Sequence, residues 1–374
     1  MNEGALHIVA DWRDGRVGAV RVRNTRPLAA GLLKGKTPQE AAILAGTLFS
    51  LCGEAQRQAA RAACAVARGE HIAPDVDSER ALSIEAAQLH LWRLLLDWPA
   101  LFDMPPVRDR FASLHRALGQ IRDKAAAFEV GGQVLNLVAS ELLGSFFGNV
   151  REPHNLEEFV AVSERAGTVG RVLARLIKAG ASDPLDAPVP LLPGLRAQDF
   201  AEALPGGWPD EAYCRAPHLA GQVYETGPLA RHVSNLLVAR LVVPRHRIAA
   251  RLFARMVELA DCASRLRHPL PDDMPALVDA APLPGGGALA RIDTARGTLL
   301  HAVRLEGERV ADYAIVAPTE WNFRPGGVFE QEGAGWAAPD PAYVRWRLKV
   351  LAMALDPCVM FDVAVDNGQE VAHA

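Results

Sequence analysis

The five cysteines of this 374-residue chain (Cys52, Cys64, Cys214, Cys262 and Cys358) include no C-x-x-C pair. A zinc ribbon and a dithiol redox motif both need such local pairs, so neither is supported. Their odd number and wide scatter also argue against a disulfide framework and for a reducing compartment. The eleven histidines form no H-E-x-x-H helix. No G-x-x-x-x-G-K-(S/T) loop or G-x-S-x-G elbow occurs, and Gly285-Gly286-Gly287 is too short to cradle a phosphate by itself. Excess charge of one sign is missing too. The formal net charge is -4 with arginine spread along the chain, which gives no footprint for nucleic acid. No apolar stretch reaches membrane-spanning length without a charge; the nearest, Val134 to Val150, is interrupted by Glu141. The opening residues Met-Asn-Glu-Gly lack the basic start and apolar run of a secretory signal. A cytoplasmic protein is expected, with neither nucleic acid nor membrane among its partners.

Half of the residues are hydrophobic and mean hydropathy is near zero, as in a folded globular chain. The length suits one large domain or two ordinary ones. Strand-like runs Leu6–Ala10 and Val17–Val22 around Trp12-Arg13-Asp14-Gly15 predict a hairpin. Thr37, Pro38 and Glu40 form a capping box, and the helical pattern behind it runs to Arg68. Gly53 inside that stretch costs about 1 kcal/mol relative to alanine, so a break or a close backbone approach is expected beside Cys52. Cys52 would share a helical face with Leu44, Leu48 and Ala55. Helical spacing recurs at 84–96, 107–121, 134–143, 157–178 and 248–266. Loops rich in Pro and Gly are expected at 184–193, 205–209 and 269–287. Thr298–Leu305 and Arg309–Val316 flank Glu306-Gly307-Glu308 as a second hairpin. A last helix fits Pro341–Leu355, capped by Asp340 and stopped by Pro357. The fold class is α+β, predominantly helical, with small hairpins near both ends.

Several segments, in order, resemble the large subunit of nickel–iron hydrogenases. Glu225-Thr226-Gly227-Pro228-Leu229-Ala230-Arg231 resembles the signature E-x-G-P-L-A-R. Ala295-Arg296-Gly297-Thr298-Leu299-Leu300-His301 is similar to P-R-G-x-L-x-H, with Ala295 in place of the proline. Pro318-Thr319-Glu320-Trp321-Asn322, followed by Pro325, resembles P-(S/T)-T-W-N-x-x-P, and Asp356-Pro357-Cys358 matches the start of D-P-C-x-x-C-x-x-H. Leu51-Cys52-Gly53 matches part of R-x-C-G-x-C, and Lys34-Gly35-Lys36-Thr37-Pro38 lies where the family has a similar segment. Glu3-Gly4 with Leu6-His7-Ile8 is a weaker match to E-G-H-x-R-I. The resemblance implies one large-subunit-like domain over 1–374: an N-terminal hairpin (1–25), a helical core (38–268), and a C-terminal hairpin, loop and helix (288–365).

The resemblance also implies where the chain departs from an enzyme. Cys52 and Cys358 match the terminal nickel ligands, whereas the bridging positions are Ala55 and Phe361 and the motif histidines are Ala59 and Ala364. Two thiolates cannot replace four at a binuclear centre, so hydrogen catalysis is not expected and neither is nickel. Arg296 matches the donor to one iron-bound cyanide, and Thr319, after Pro318, the donor to the other. On the residues alone, Arg296 also reads as an ion pair at an element end, and Thr319 as a turn hydroxyl bonding its own backbone. Cys64, Cys214 and Cys262 match no ligand and read as packing residues. Glu3 matches the family's proton-relay glutamate, and a solvated carboxylate is an equal reading.

A large-subunit-like chain with a reduced metal set resembles the HupK/HoxV family of hydrogenase assembly proteins. That resemblance implies a scaffold for iron carrying two cyanides and one carbon monoxide, Fe(CN)2(CO), with Cys52 and Cys358 as ligands. The implied partners are the hydrogenase large-subunit precursor and the HypC-type and HypD-type assembly chaperones. With Ala364 at the final histidine position, maturation by the large-subunit protease is not expected. A metal-free docking protein and a divergent hydrogenase are the competing readings.

Overall fold

Two strands that alternate apolar and polar residues begin the chain. The computed structural model describes residues 4–49, 51–147, 152–180, 188–270, 272 and 274–368. In it, β1 (Ala5–Arg13) and β2 (Arg16–Asn24) pair antiparallel around Asp14 and Gly15, both at positive φ. Their alternation sends Leu6, Ile8, Ala10, Val17, Val20 and Val22 inward. A third strand, β7 (Met360–Asp366), runs parallel to β1, so the sheet order is β2-β1-β7. Glu3 lies outside the described residues, as do 184–187 of the expected 184–193 loop.

The second sheet is larger than the expected hairpin. Strands β3 (Val278–Pro282), β4 (Ala288–Thr294), β5 (Gly297–Glu306) and β6 (Arg309–Val316) form an antiparallel sheet in that order. The C-terminal unit over 288–365 therefore needs two corrections: its hairpin is three strands, joined by β3 from the expected 269–287 loop, and β7 follows the last helix. The reason is burial. Ala288–Ile292 is buried at every position, because the helices Pro38–Leu48 and Gly53–Ala67 cover one face of the sheet while Phe200 and Trp321 pack on the other. A strand covered on both faces has no apolar–polar alternation to read.

Thr37 caps the helix α1 (Pro38–Leu48) through the expected box: its hydroxyl accepts from Glu40 N at 3.3 Å, and its own N–H donates to Glu40 Oε2 at 2.9 Å. The helical pattern running to Arg68 then divides. Phe49 is the C-cap of α1 and Cys52 the N-cap of a second helix, α2 (Gly53–Ala67), and α1 and α2 touch at Gly46 and Gly53. A Cβ on Gly53 would sit 2.5 Å from the Gly46 carbonyl oxygen. The break and the close approach expected there both occur. Cys52 consequently does not continue a face of α1, although it still joins Leu44, Leu48 and Ala55 in one apolar cluster.

Asp75 caps α3 (Val76–Trp92). Behind it runs the long helix Arg247–Arg267, buried over most of its length. The expected 157–178 helix is two, Leu156–Arg165 and Gly167–Lys178, divided where Gly167 adopts φ 66°. No helix among the described residues is long and apolar enough to cross a membrane.

Candidate functional site

Three of the resembling segments, far apart in sequence, are tied together by a few bonds. The Asn322 side chain accepts from Thr226 N at 3.0 Å and donates to Thr226 O at 2.9 Å, and the Thr226 hydroxyl accepts from Thr298 N at 2.9 Å. Gly297, at φ 135°, leaves no room for a side chain: its Cβ would lie 2.6 Å from Thr226 Cγ2. The flanking charges of the first segment are structural. Glu225 pairs with Arg247 and with Arg251 (2.7 Å), and Arg231 pairs with Glu258 at 2.8 Å. This clasp fixes the β4–β5 turn that carries Arg296 against the short helix Pro318–Phe323 that carries Thr319.

Pro318 is the buried first residue of that helix, with Thr319 buried behind it. The Thr319 hydroxyl donates to Cys358 Sγ at 3.2 Å and accepts from Cys358 N at 3.1 Å. The hydroxyl therefore holds Cys358 where the turn reading had it bond its own backbone. Cys52 is the N-cap of α2, and its sulfur accepts from Gln56 Nε2 at 3.6 Å. Burial, then the neighbouring Cys358 and Glu85, push the Cys52 thiol up to about 12, with Arg296 pulling the other way.

Arg296 is 4% exposed. Its Nε stands 3.4 Å from Asp356 Oδ1 as an ion pair, yet Nε and Nη1 have no hydrogen-bond partner among the described residues. Buried donors without acceptors cost about 1–3 kcal/mol each. Asp356, two residues before Cys358, takes a left-handed conformation (φ 53°) at the end of the Pro341–Leu355 helix. Its carboxylate also accepts from Arg93 Nε at 2.8 Å and Arg255 Nη1 at 3.0 Å. Burial opposes its ionisation, but Arg296, Arg93 and Arg255 hold it far below the usual carboxylate range.

Two residues absent from the sequence reading complete the surroundings. Arg26 stacks over the Phe49 ring (5.1 Å) and pairs with Glu320 at 3.7 Å. It thereby bridges Phe49, at the end of α1, and the helix that carries Thr319. Burial works against its charge, but Cys358, Glu320 and Cys52 offset this and raise its pKa. Glu85 accepts from Glu54 N (2.7 Å) and Ala55 N (3.2 Å) at the start of α2, where a carboxylate suits the helix dipole. Burial nonetheless pushes it up to about 7. It also lines a 410 Å³ cleft with Leu51, Gln88 and Trp92. No local motif signals either residue, since both act through partners distant in sequence.

At the positions that the resemblance gives to the bridging cysteines and motif histidines, Ala55 and Ala59 are buried in α2, and Phe361 and Ala364 pair with Leu6 and Val9 across the β1–β7 register. Among the described residues no group of three or more His, Cys, Asp or Glu side chains is placed to hold a metal ion. The side chains available are the Cys52 thiol, with the buried Arg296 guanidinium acting on it, and the Cys358 thiol held by Thr319. Such a set suits a soft cation that brings anionic ligands of its own.

No protein-family model matches the chain. It is 31% identical to the hydrogenase expression/formation protein HupK of Rhizobium leguminosarum bv. viciae, over 95% of this chain and 94% of that protein. It is 32% identical to the hydrogenase expression/formation protein HoxV of Cupriavidus necator, over 94% of each. Among solved structures, the Ni-Fe-Se hydrogenase from D. vulgaris Hildenborough superposes with a TM-score of 0.63 at 16% identity, covering 92% of this chain and 94% of that one. An NAD+-reducing nickel–iron hydrogenase gives 0.58 at 14% identity, covering 92% and 93%. On this identity across nearly its whole length, and with the fold of nickel–iron hydrogenase large subunits, the chain belongs to the HupK/HoxV family of hydrogenase expression/formation proteins.

Proposed function

We propose that the protein serves hydrogenase maturation as a non-catalytic scaffold, holding iron with two cyanides and one carbon monoxide between Cys52 and Cys358. The observation that carries this reading is Arg296, a buried guanidinium that acts on the Cys52 thiol and has two nitrogens without hydrogen bonds among the described residues. A cyanide nitrogen out of water needs such a donor, and a charged donor strengthens the bond to an anionic ligand set. Cys52 enters as a thiol and must lose its proton to bind iron, so loading releases protons and strengthens as pH rises. Thr319 keeps Cys358 oriented and offers a hydroxyl next to it.

The cargo passes to the hydrogenase large-subunit precursor, and HypC-type and HypD-type chaperones supply it. The shared fold gives the scaffold the shape of the recipient, while Ala55 and Phe361 withhold the bridging thiolates that would complete a nickel site. Release is then favoured by a recipient with four thiolates over a donor with two. Iron content decides the ligand assignment. After oxygen-free purification from cells expressing the assembly proteins, Cys52→Ala and Cys358→Ala should each lose most bound iron. Wild-type iron content in both variants would refute it.

A further inference from the structure

A buried hydrogen-bonded chain leads from the Cys52 sulfur into the four-stranded sheet. Gln56 Nε2 lies 3.6 Å from Cys52 Sγ, Gln56 Oε1 lies 2.8 Å from His301 Nε2, and His301 Nδ1 lies 2.7 Å from the Tyr313 hydroxyl. Gln56, His301 and Tyr313 are 1%, 0% and 5% exposed. They come from α2, β5 and β6, and they sit within the apolar cluster of Ala59, Ala63, Ile292 and Leu299. Three polar side chains in such a place need a complete bonding pattern. His301 ends the segment that supplies Arg296, but the proposed iron pocket takes only Arg296 from it.

A metal-bound thiolate accepts hydrogen bonds and donates none, which gives the chain one consistent polarity. Gln56 turns its N–H2 to the sulfur, so its oxygen must accept. His301 then carries its proton on Nε2, leaving Nδ1 to accept from the tyrosine O–H. We infer that Tyr313, His301 and Gln56 are positioning residues forming one directional chain that donates to the Cys52 sulfur and tunes its electron donation to bound iron. Burial supports a neutral imidazole, pushing His301 down to about 3. In a low-dielectric interior each bond polarises the next, so a change at Tyr313 reaches the sulfur.

This inference rests on the proposed iron site for its effect, but its polarity can be read without iron. Nitrogen-15 resonances of labelled histidine, with His301 assigned by His301→Gln, should show the Nε2–H tautomer. Tyr313→Phe should move Nδ1 towards a free imine nitrogen, and Cys52→Ala should shift the His301 resonances through Gln56. An Nδ1–H tautomer, or indifference of His301 to Cys52→Ala, overturns the chain. In iron-loaded protein, Gln56→Leu removes a donor from the sulfur and should lower the carbonyl stretching frequency at unchanged iron content, with Tyr313→Phe giving a smaller shift of the same sign. Unchanged frequencies in both variants overturn the tuning role. Absence of every cyanide and carbonyl band from the wild type sinks the iron reading itself and leaves the nitrogen resonances to decide the chain.

Discussion

Asp356 gathers three arginines that would otherwise repel one another inside the protein: Arg93, Arg255 and Arg296. Asp356→Asn keeps the side-chain shape and a residue that tolerates positive φ, but leaves the cations without a counter-charge. Breaking a buried ion pair costs about 3–5 kcal/mol, and chemical denaturation should show a loss of that order. The same change frees Arg296 and the Cys358 segment, so iron loading should fall with stability; full loading in a destabilised Asp356→Asn protein would show that Asp356 acts on the fold alone. Cys52, Cys358, Arg296 and Thr319 were legible in the sequence because short motifs in a fixed order carry them. Arg26, Glu85 and Gln56 were not. Their roles depend on Phe49, Glu320, the α2 N-terminus and His301, contacts that no spacing rule links.

At the scale of elements, the α1–α2 crossing sets the position of Cys52. Gly53→Ala places a methyl 2.5 Å from the Gly46 carbonyl oxygen, a contact that only backbone movement relieves. Overpacking of this kind costs about 1–3 kcal/mol. Thermal melting should show it, with reduced iron loading as α2 shifts. Gly46→Ala, whose methyl meets the Gly53 oxygen at 3.1 Å, should be milder, and equal effects from the two would contradict this account of the crossing. The sequence marked this junction well, because a glycine within a helical pattern is a local signal. It missed β3, β4 and β7. Proline and glycine around 269–287 mask β3, two-sided burial erases the period of β4, and β7 is specified by a parallel partner at the other end of the chain.

Across the whole molecule, buried charge gives stability a definite pH profile. Asp356, Glu225 and Glu258 are held below their ordinary values by arginines and histidines. The stability they contribute is present above about pH 4–5, where the unfolded carboxyls ionise, and is lost as pH falls through the depressed native values. Glu85 works in the opposite sense: raised from 4.5 to about 7, it contributes stability that fades as pH climbs through that interval. On the alkaline side, Cys52 and Cys214, raised from 9.0 to about 12, cause a further loss as pH rises from 9 towards 12. Denaturation midpoints measured across this range should fall steeply below pH 4 and again above 9; a flat profile would mean that these groups titrate alike folded and unfolded.

The same buried charge surrounds the site on which the functional reading turns, and one spectrum addresses it. Infrared absorption of the protein, purified without oxygen from cells that make the assembly proteins, should show two cyanide bands and one carbonyl band, with iron present, nickel absent and the bands missing from Cys52→Ala. A wild-type chain that forms a stable complex with assembly partners and yet carries neither band would contradict the scaffold.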